Sequence, residues 1–175
     1  MEARFNYIPN KRLRDNVRAV LLRDMAEALA LVAEQASLDE SPPALQGVYV
    51  ARAVRDRHPL CNVLVQGGDP AEDPDGNTQE RRRFLVEFET VAPNAEELFE
   101  TIELYVTAGR IALMSAAEED FTEQVDAGTR GDWRWSIGVE RYGEREYEAE
   151  DLYTVVGSFV LTIEFMEARK VMPYE

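Results

Sequence analysis

The strongest constraint on the fold is a long stretch near the C-terminus, Leu152 to Glu167, in which apolar and polar residues alternate. From position 159 onward every second residue is large and apolar, namely Phe159, Leu161, Ile163 and Phe165. A period of two is the pattern of a β-strand with one buried face. We therefore predict one long strand here, and a strand of this length needs neighbours in a sheet.

The nearest candidate neighbour is the stretch from Trp133 to Tyr142. Its alternate positions hold Trp133, Trp135, Ile137 and Val139. The residues between the two stretches, from Gly143 to Asp151, are too polar to belong to a core. This arrangement predicts a long C-terminal hairpin over residues 133–167.

The length and composition bound the class of protein. A chain of 175 residues suits a single domain, residues 1–175, whose core needs no disulfide. Its lone cysteine, Cys61, cannot form an internal disulfide, which agrees with a reducing compartment. No apolar run approaches the roughly 18 residues of a membrane span, and the N-terminus lacks the apolar core of a signal peptide. We expect a soluble protein that does not contact a membrane.

The charge is strongly acidic, with 34 acidic and 19 basic residues, a net charge of −15, and only two lysines. Binding of duplex DNA depends on neutralising phosphates with Lys and Arg, so this balance disfavours a DNA reader. Excess acid with little lysine is also typical of proteins from strongly saline cytoplasms, where screening makes self-repulsion tolerable. An ordinary acidic cytosolic protein fits the composition equally well.

The first 23 residues oppose this trend, with six basic and two acidic residues, which leaves a net charge of −19 on the rest. Apolar residues three and four apart predict a helix over residues 10–36. Its first turn is basic, although the helix dipole disfavours cations there. The basic residues are either solvated or contact the acidic flank of another subunit. Five of the six are our candidates for such a contact: Arg4, Lys11, Arg12, Arg14 and Arg18.

Two strands are predicted over residues 46–66, separated by a turn that contains the only histidine, His58. One His and one Cys cannot assemble a zinc site or a Cys-His pair. A Ser-His-Asp triad would have to use this turn histidine, and no serine lies in a Gly-x-Ser-x-Gly turn. We interpret His58 as a turn residue and Cys61 as a small core residue. The sequence predicts no enzyme, no metal site and no cofactor.

An acidic segment, residues 67–80, is rich in Gly, Pro, Asp and Asn, which predicts a mobile loop. Its carboxylates lack the spacing and the closing Glu of a calcium loop, so a cation site is the minor alternative. They include Asp69, Glu72, Asp73 and Asp75.

Three consecutive arginines, Arg81, Arg82 and Arg83, lead into a strand over residues 82–92. Because successive strand side chains point to opposite faces, the three cannot share one face. They either solubilise a strand edge or pair with carboxylates across a subunit boundary. A second helix is predicted over residues 94–116 from its apolar stripe.

The element order is helix, two strands, loop, strand, helix and two long strands. It predicts an α+β domain with a mainly antiparallel sheet of about five strands and two long helices on one face. Over nearly the whole chain, from Asn10 to Glu167, this order resembles the tail terminator and tail completion proteins of long-tailed viruses. The resemblance consists of element order and shape, without a signature motif.

The resemblance implies a structural virion protein of the tail and neck, assembled in the host cytoplasm. Such a protein forms a homo-oligomeric ring, usually a hexamer, that caps the tail tube protein and stops its polymerisation. The ring also joins the head-tail connector protein, and DNA passes through it without specific binding. With the acidic, lysine-poor composition, the resemblance indicates a virus of a halophilic archaeon.

Within such a ring the acidic segment becomes a candidate channel lining, because acid repels phosphate. The basic residues of the first helix and of Arg81 to Arg83 become candidate subunit contacts. Trp133 and Trp135, if they are not both core residues, are candidate aromatic anchors of an interface.

Two other classes stay open. A small cytosolic α+β ligand-binding domain requires a pocket with converging polar groups. An adaptor that binds one protein partner would show the same sequence. The mass of the purified protein separates these classes, since a discrete ring favours the virion role and a monomer stabilised by a ligand favours a binding domain.

The acidic composition predicts a dependence of stability on salt. Lowering the salt from about 1 M to about 0.1 M lengthens the Debye length from ~3 to ~10 Å, so self-repulsion should loosen the fold or the ring. Melting temperature and mass, followed across this range, should both fall. Constancy of both quantities would count against a saline origin.

Overall fold

The computed structural model describes residues 10–52, 57–72, 78–92, 95–122, 133–145 and 153–167. The helices are α1 (Asn10–Gln35), α2 (Ala95–Met114) and α3 (Glu118–Thr122). The strands are β1 (Gly47–Tyr49), β2 (Leu60–Glu72), β3 (Thr78–Ala92), β4 (Trp133–Ile137), β5 (Arg141–Arg145) and β6 (Tyr153–Glu167). This mixed α+β architecture, with a mostly antiparallel sheet and two long helices, confirms the predicted fold class. The sheet has six strands among the described residues.

The centre of the sheet is the antiparallel pair β3 and β6, which are in register from Thr78 opposite Glu167 to Ala92 opposite Tyr153. On one face the pair contributes a continuous apolar surface. Its members, all 1% exposed or less, are Phe84, Val86, Phe88, Phe159, Leu161 and Ile163. Each alternating stretch becomes a strand because this pairing places its most buried apolar side chains on the same side.

β3 occupies one edge of β6, and β4 and β5 lie end to end along the opposite edge. The two short strands together form the outer strand of the C-terminal hairpin. Residues 138–140 interrupt this strand, and only the Gly138 N–H, which donates to the Val160 carbonyl at 2.9 Å, keeps contact there. The interruption turns Val139 outward, where it is 82% exposed. The predicted alternation therefore ends at Ile137, and pairing resumes at Arg141.

The predicted loop over residues 67–80 is wrong for most of its length. β2 continues through Gly67 to Glu72, and β3 begins at Thr78, so residues 67–72 and 78–80 extend a hairpin. A register shift between Val65 and Gly67 marks a β-bulge, at which Gly67 adopts φ 110°. Glycine takes this left-handed conformation without strain, so the turn-like residues bend the strand instead of ending it.

The outer edge of β2 is only partly covered. Among the described strands, β1 alone pairs with it, in parallel, over Leu60 to Asn62. Beyond the bulge the strand contains Pro70, which has no N–H to offer to another strand.

Helix α2 packs closely on the sheet because each of the two surfaces in contact has a glycine there, Gly109 on α2 and Gly157 on β6. A Cβ on Gly109 of α2 would collide with the Phe88 ring, and a Cβ on Gly157 of β6 would lie 2.6 Å from Val106 Cγ2. Phe88 and Gly157 are register partners on the sheet. Together the two glycines let α2 lie directly on the central strands, and α1 packs beside α2.

The short helix α3, which the sequence analysis did not predict, connects α1 with β4. Its Phe121 ring lies 5.0 Å from the Trp135 ring, and the Phe121 carbonyl accepts a hydrogen bond from Asn16 Nδ2 at 2.7 Å. Asp120 accepts from the Ala117 N–H at 2.9 Å, which satisfies one free donor at the helix start. The hydrogen bond from Arg23 of α1 lowers the pKa of Asp120, so this link strengthens where the carboxylate is ionised.

The close helix contact predicts an unusual effect of Gly109→Ala. Alanine favours helices by about 1 kcal/mol over glycine, but here its methyl group would displace the Phe88 ring, at a typical overpacking cost of about 1–3 kcal/mol. We expect a lower free energy of urea unfolding. Gly143→Ala is the matched control, because its added Cβ would meet no atom within 4 Å. A Gly109→Ala variant as stable as the control would contradict the packing argument.

Candidate assembly surface

The three arginines of β3 lie on two faces of the sheet, as the strand period requires, and each has a carboxylate partner in the same chain. Arg81 Nε lies 2.7 Å from Glu164 Oε1 of its register partner on β6, and Arg83 forms an ion pair with Asp69 of β2. Arg81 and Arg83 share the face opposite Phe88, and their side chains are 47% and 46% exposed. This end of the sheet thus presents opposite charges on adjacent strands.

Arg82 points to the other face, the side of Phe84. It pairs with Glu80 at 2.6 Å, and its side chain is only 17% exposed. Its Nε is buried and has no hydrogen-bond partner in the part of the chain that the structure describes. Arg82 is therefore less accessible to another subunit than Arg81 and Arg83 are.

The basic end of α1 divides into exposed and anchored residues. Lys11 and Arg12 are exposed and form no ion pair with any described residue. Arg14 is half-buried and lies 3.4 Å from Asp15, and Arg18 Nε donates to the Val48 carbonyl of β1 at 2.7 Å. No acidic residue occupies the first turn of α1. Arg4, also predicted to belong to this surface, lies outside the described residues.

The two tryptophans pack within their own chain. Trp133 is 8% exposed and stacks on Phe165 with ring centroids 5.0 Å apart. Trp135 is half-buried, and its Nε1 donates to the Leu113 carbonyl of α2 at 3.1 Å. These contacts account for both rings as core residues, the alternative that their alternation in the sequence already allowed.

The predicted channel-lining carboxylates are only partly described. Asp69 is exposed on β2 and pairs with Arg83. The backbone of Glu72 belongs to β2, but its side chain lies outside the described residues, as do Asp73 and Asp75.

The structure also contains a buried polar cluster that the sequence analysis missed. Two strand carboxylates on the face opposite Phe88, Glu87 and Glu89, are only 3% and 2% exposed. Arg52 donates to both oxygens of Glu87, at 2.9 and 2.6 Å, and His58 Nε2 lies 3.0 Å from Glu89. The sequence predicts a turn residue at His58, and the structure shows that its side chain is a partner of a buried acid.

Asn62 completes this cluster beside Glu87, its register partner, to which Nδ2 donates at 3.5 Å. The Oδ1 atom of Asn62 is buried and has no hydrogen-bond partner among the described residues. No group of three or more His, Cys, Asp and Glu in the described part of the chain could hold a metal. The cluster therefore consists of partnered polar groups that link Arg52 and His58 to the sheet.

Cys61 lies in the core near this cluster and is fully buried. Burial raises the pKa of its thiol well above the usual range, so the thiol stays protonated and is a poor nucleophile. None of the described helices is long and apolar enough to cross a membrane.

The cluster predicts a measurable coupling between Arg52 and Glu87. Arg52→Ala leaves Glu87 with fewer donors in a buried site, and we expect a loss of about 1–2 kcal/mol, reduced because Arg52 is itself half exposed. The same change in a Glu87→Gln background should cost less. A double-mutant cycle by urea unfolding measures the difference, with the exposed Arg134→Ala as control. Equal costs in both backgrounds would show that the pair is uncoupled.

Comparison with known proteins finds likeness among solved structures alone. No family model and no curated protein matches the sequence. Among solved structures, a chain from the "Virion of native gene transfer agent (GTA) particle" aligns with 87% of this chain and 94% of its own length, at 16% identity and a TM-score of 0.41. The chain is thus similar to a component of a virion particle, at a level that assigns neither a family nor a function.

Proposed function

We propose that this protein is a structural protein of the virion that forms a ring at the head-tail junction of a long-tailed virus. The ring caps the tail tube, stops its growth and joins it to the head connector. The observation that carries the proposal is the pair of exposed cations Lys11 and Arg12, which have no ion-pair partner among the described residues of a chain with net charge −15.

The position of these cations is unfavourable within one subunit. They lie in the first turn of α1, where the helix dipole makes a cation cost a few tenths of a kcal/mol. A neighbouring copy offers abundant carboxylate, because residues 24–175 carry a net charge of −19. A contact between the basic end of one copy and an acidic flank of the next is heterologous, and heterologous contacts close into rings when the rotation allows it.

The charged end of the sheet supports the same assembly. Arg81 and Arg83 keep nearly half of their side chains exposed while paired with Glu164 and Asp69. Exposed pairs of this kind contribute little to the fold, about 0–1 kcal/mol each. Their arginines can therefore bind a second carboxylate across a subunit boundary with little loss to the fold, and planar guanidinium groups suit such contacts.

The acidic composition suits a ring through which DNA passes. A lumen of negative potential repels phosphate, so it permits transit without binding. Asp69, together with Glu72, Asp73 and Asp75, is our candidate for this lining. The scarcity of lysine extends the proposal to a virus of a halophilic archaeon.

A charge reversal at the start of α1 tests the ring. Lys11→Glu with Arg12→Glu puts acid where the helix dipole favours it, so the melting temperature of the subunit should stay level or rise slightly. The same change should convert the ring into smaller species in native mass spectrometry. Arg134→Glu with Arg141→Glu, at exposed basic residues of β4 and β5, changes the net charge by the same amount. This control should leave the ring intact.

Two results would overturn the proposal. A double variant that still assembles would remove the basic end of α1 from the contact. A parent protein that is monomeric at every concentration and salt, and that melts higher with a small ligand, would favour the binding-domain alternative.

A further inference from the structure

The solvent side of α1 carries a row of exposed residues four positions apart: Arg18, Leu22, Ala26, Ala30 and Glu34. Leu22 is 55% exposed, although it lies in the middle of a long helix. A parallel exposed row, which includes Ala19, Arg23, Glu27 and Leu31, lies beside it. Residues four apart form the ridges by which helices pack into the grooves of other helices.

The order of residues along this ridge is self-complementary. One end is a cation, the other an anion, and a large apolar residue and small residues lie between them. If the ridge is laid antiparallel on a second copy of itself with Ala26 at the centre, Arg18 faces Glu34 and Leu22 faces Ala30, each twice. Opposite charges meet at both ends, and a large residue meets a small one on each side.

We infer that two copies of this chain dock α1 against α1, antiparallel, about a two-fold axis at Ala26. When ridges of this kind interdigitate, helix axes cross at about −50° and lie about 8–10 Å apart. The small side chain at the crossing point permits this approach. Leu22, which water now surrounds, becomes buried against Ala30 of the other copy.

The fold already orients the basic end of the ridge. Arg18 Nε donates to the Val48 carbonyl of β1 at 2.7 Å, and this bond uses one of the five N–H groups of the guanidinium. The remaining donors are able to meet a carboxylate of a second copy. Because one end of the side chain is held, less rotamer freedom is lost when the intermolecular pair forms.

The inferred contact differs from the ring contact proposed above. It is isologous and closes with two copies, whereas a ring needs two different patches on each subunit. One helix pair buries less than a standard interface, so the dimer is a weak one that forms at high protein concentration. The inference does not depend on a role in a virion.

Cysteine cross-linking tests the axis directly. Ala26→Cys places two thiols together at the two-fold axis, so mild oxidation of the full chain should link most of the protein as dimers on a non-reducing gel. Ala19→Cys is the matched control, since this exposed alanine lies off the axis and should link at least tenfold less. The native Cys61 is buried and contributes little background.

The apolar centre is tested by adding Leu22→Glu to the Ala26→Cys chain, which should reduce the cross-link at least tenfold. Leu38→Glu, at an exposed leucine beyond the end of α1, should leave it unchanged. Failure of Ala26→Cys to link, or equal linking by Ala19→Cys, overturns the inference.

A mixing experiment tests the charges. In the Ala26→Cys background, Arg18→Glu alone and Glu34→Arg alone place like charges opposite each other and should each lower the cross-link severalfold at about 0.1 M salt. The mixture of the two variants restores both opposite pairs, so a mixed dimer, identified by mass, should return to near the original yield. Circular dichroism checks that Arg18→Glu, which loses the bond to Val48, still folds. Mixing without recovery means that Arg18 does not face Glu34.

Discussion

The structure depends on one interaction, the antiparallel pairing of β3 with β6. It joins two apolar rows into a single surface on which α2 rests, and it places Phe88 opposite Gly157 so that the helix can approach. β2 attaches to one side of this pair and β4 with β5 to the other. The same pairing sends every second side chain of β3 to the opposite face, where Glu87 meets Arg52 and Glu89 meets His58.

The architecture could be predicted from the sequence because its central elements have strong periodicity. The alternation from Phe159 to Phe165 is visible without any knowledge of partners, and so are the helical stripes of α1 and α2. The errors occur where one residue changes the course of a strand. Gly67 looks like the start of a loop but accommodates a bulge, and Val139 looks like part of the inner row but lies in the interruption between β4 and β5.

The buried polar cluster could not be predicted from the sequence, for a different reason. Glu87 and Glu89 alternate with apolar residues in the same way as carboxylates on a solvated strand face, so periodicity cannot distinguish the two cases. What buries them is a segment far along the chain, which contributes Arg52 and His58. The candidate assembly residues of α1 are a similar case, since their charges are evident in the sequence but the anchoring of Arg18 to Val48 depends on the packing of β1.

The partly open edge of β2 has a consequence for how copies of this chain can meet. An open strand edge is a template on which a strand of another molecule can grow a shared sheet, the route to aggregates. Here the bulge at Gly67 spoils the spacing of that template, and Pro70 removes one of its donors. This edge is therefore a poorer template for a strand of another copy than a regular strand would be. Under the assemblies proposed above, contacts between copies would then use side chains on helices and strand faces, where charge and shape select the partner.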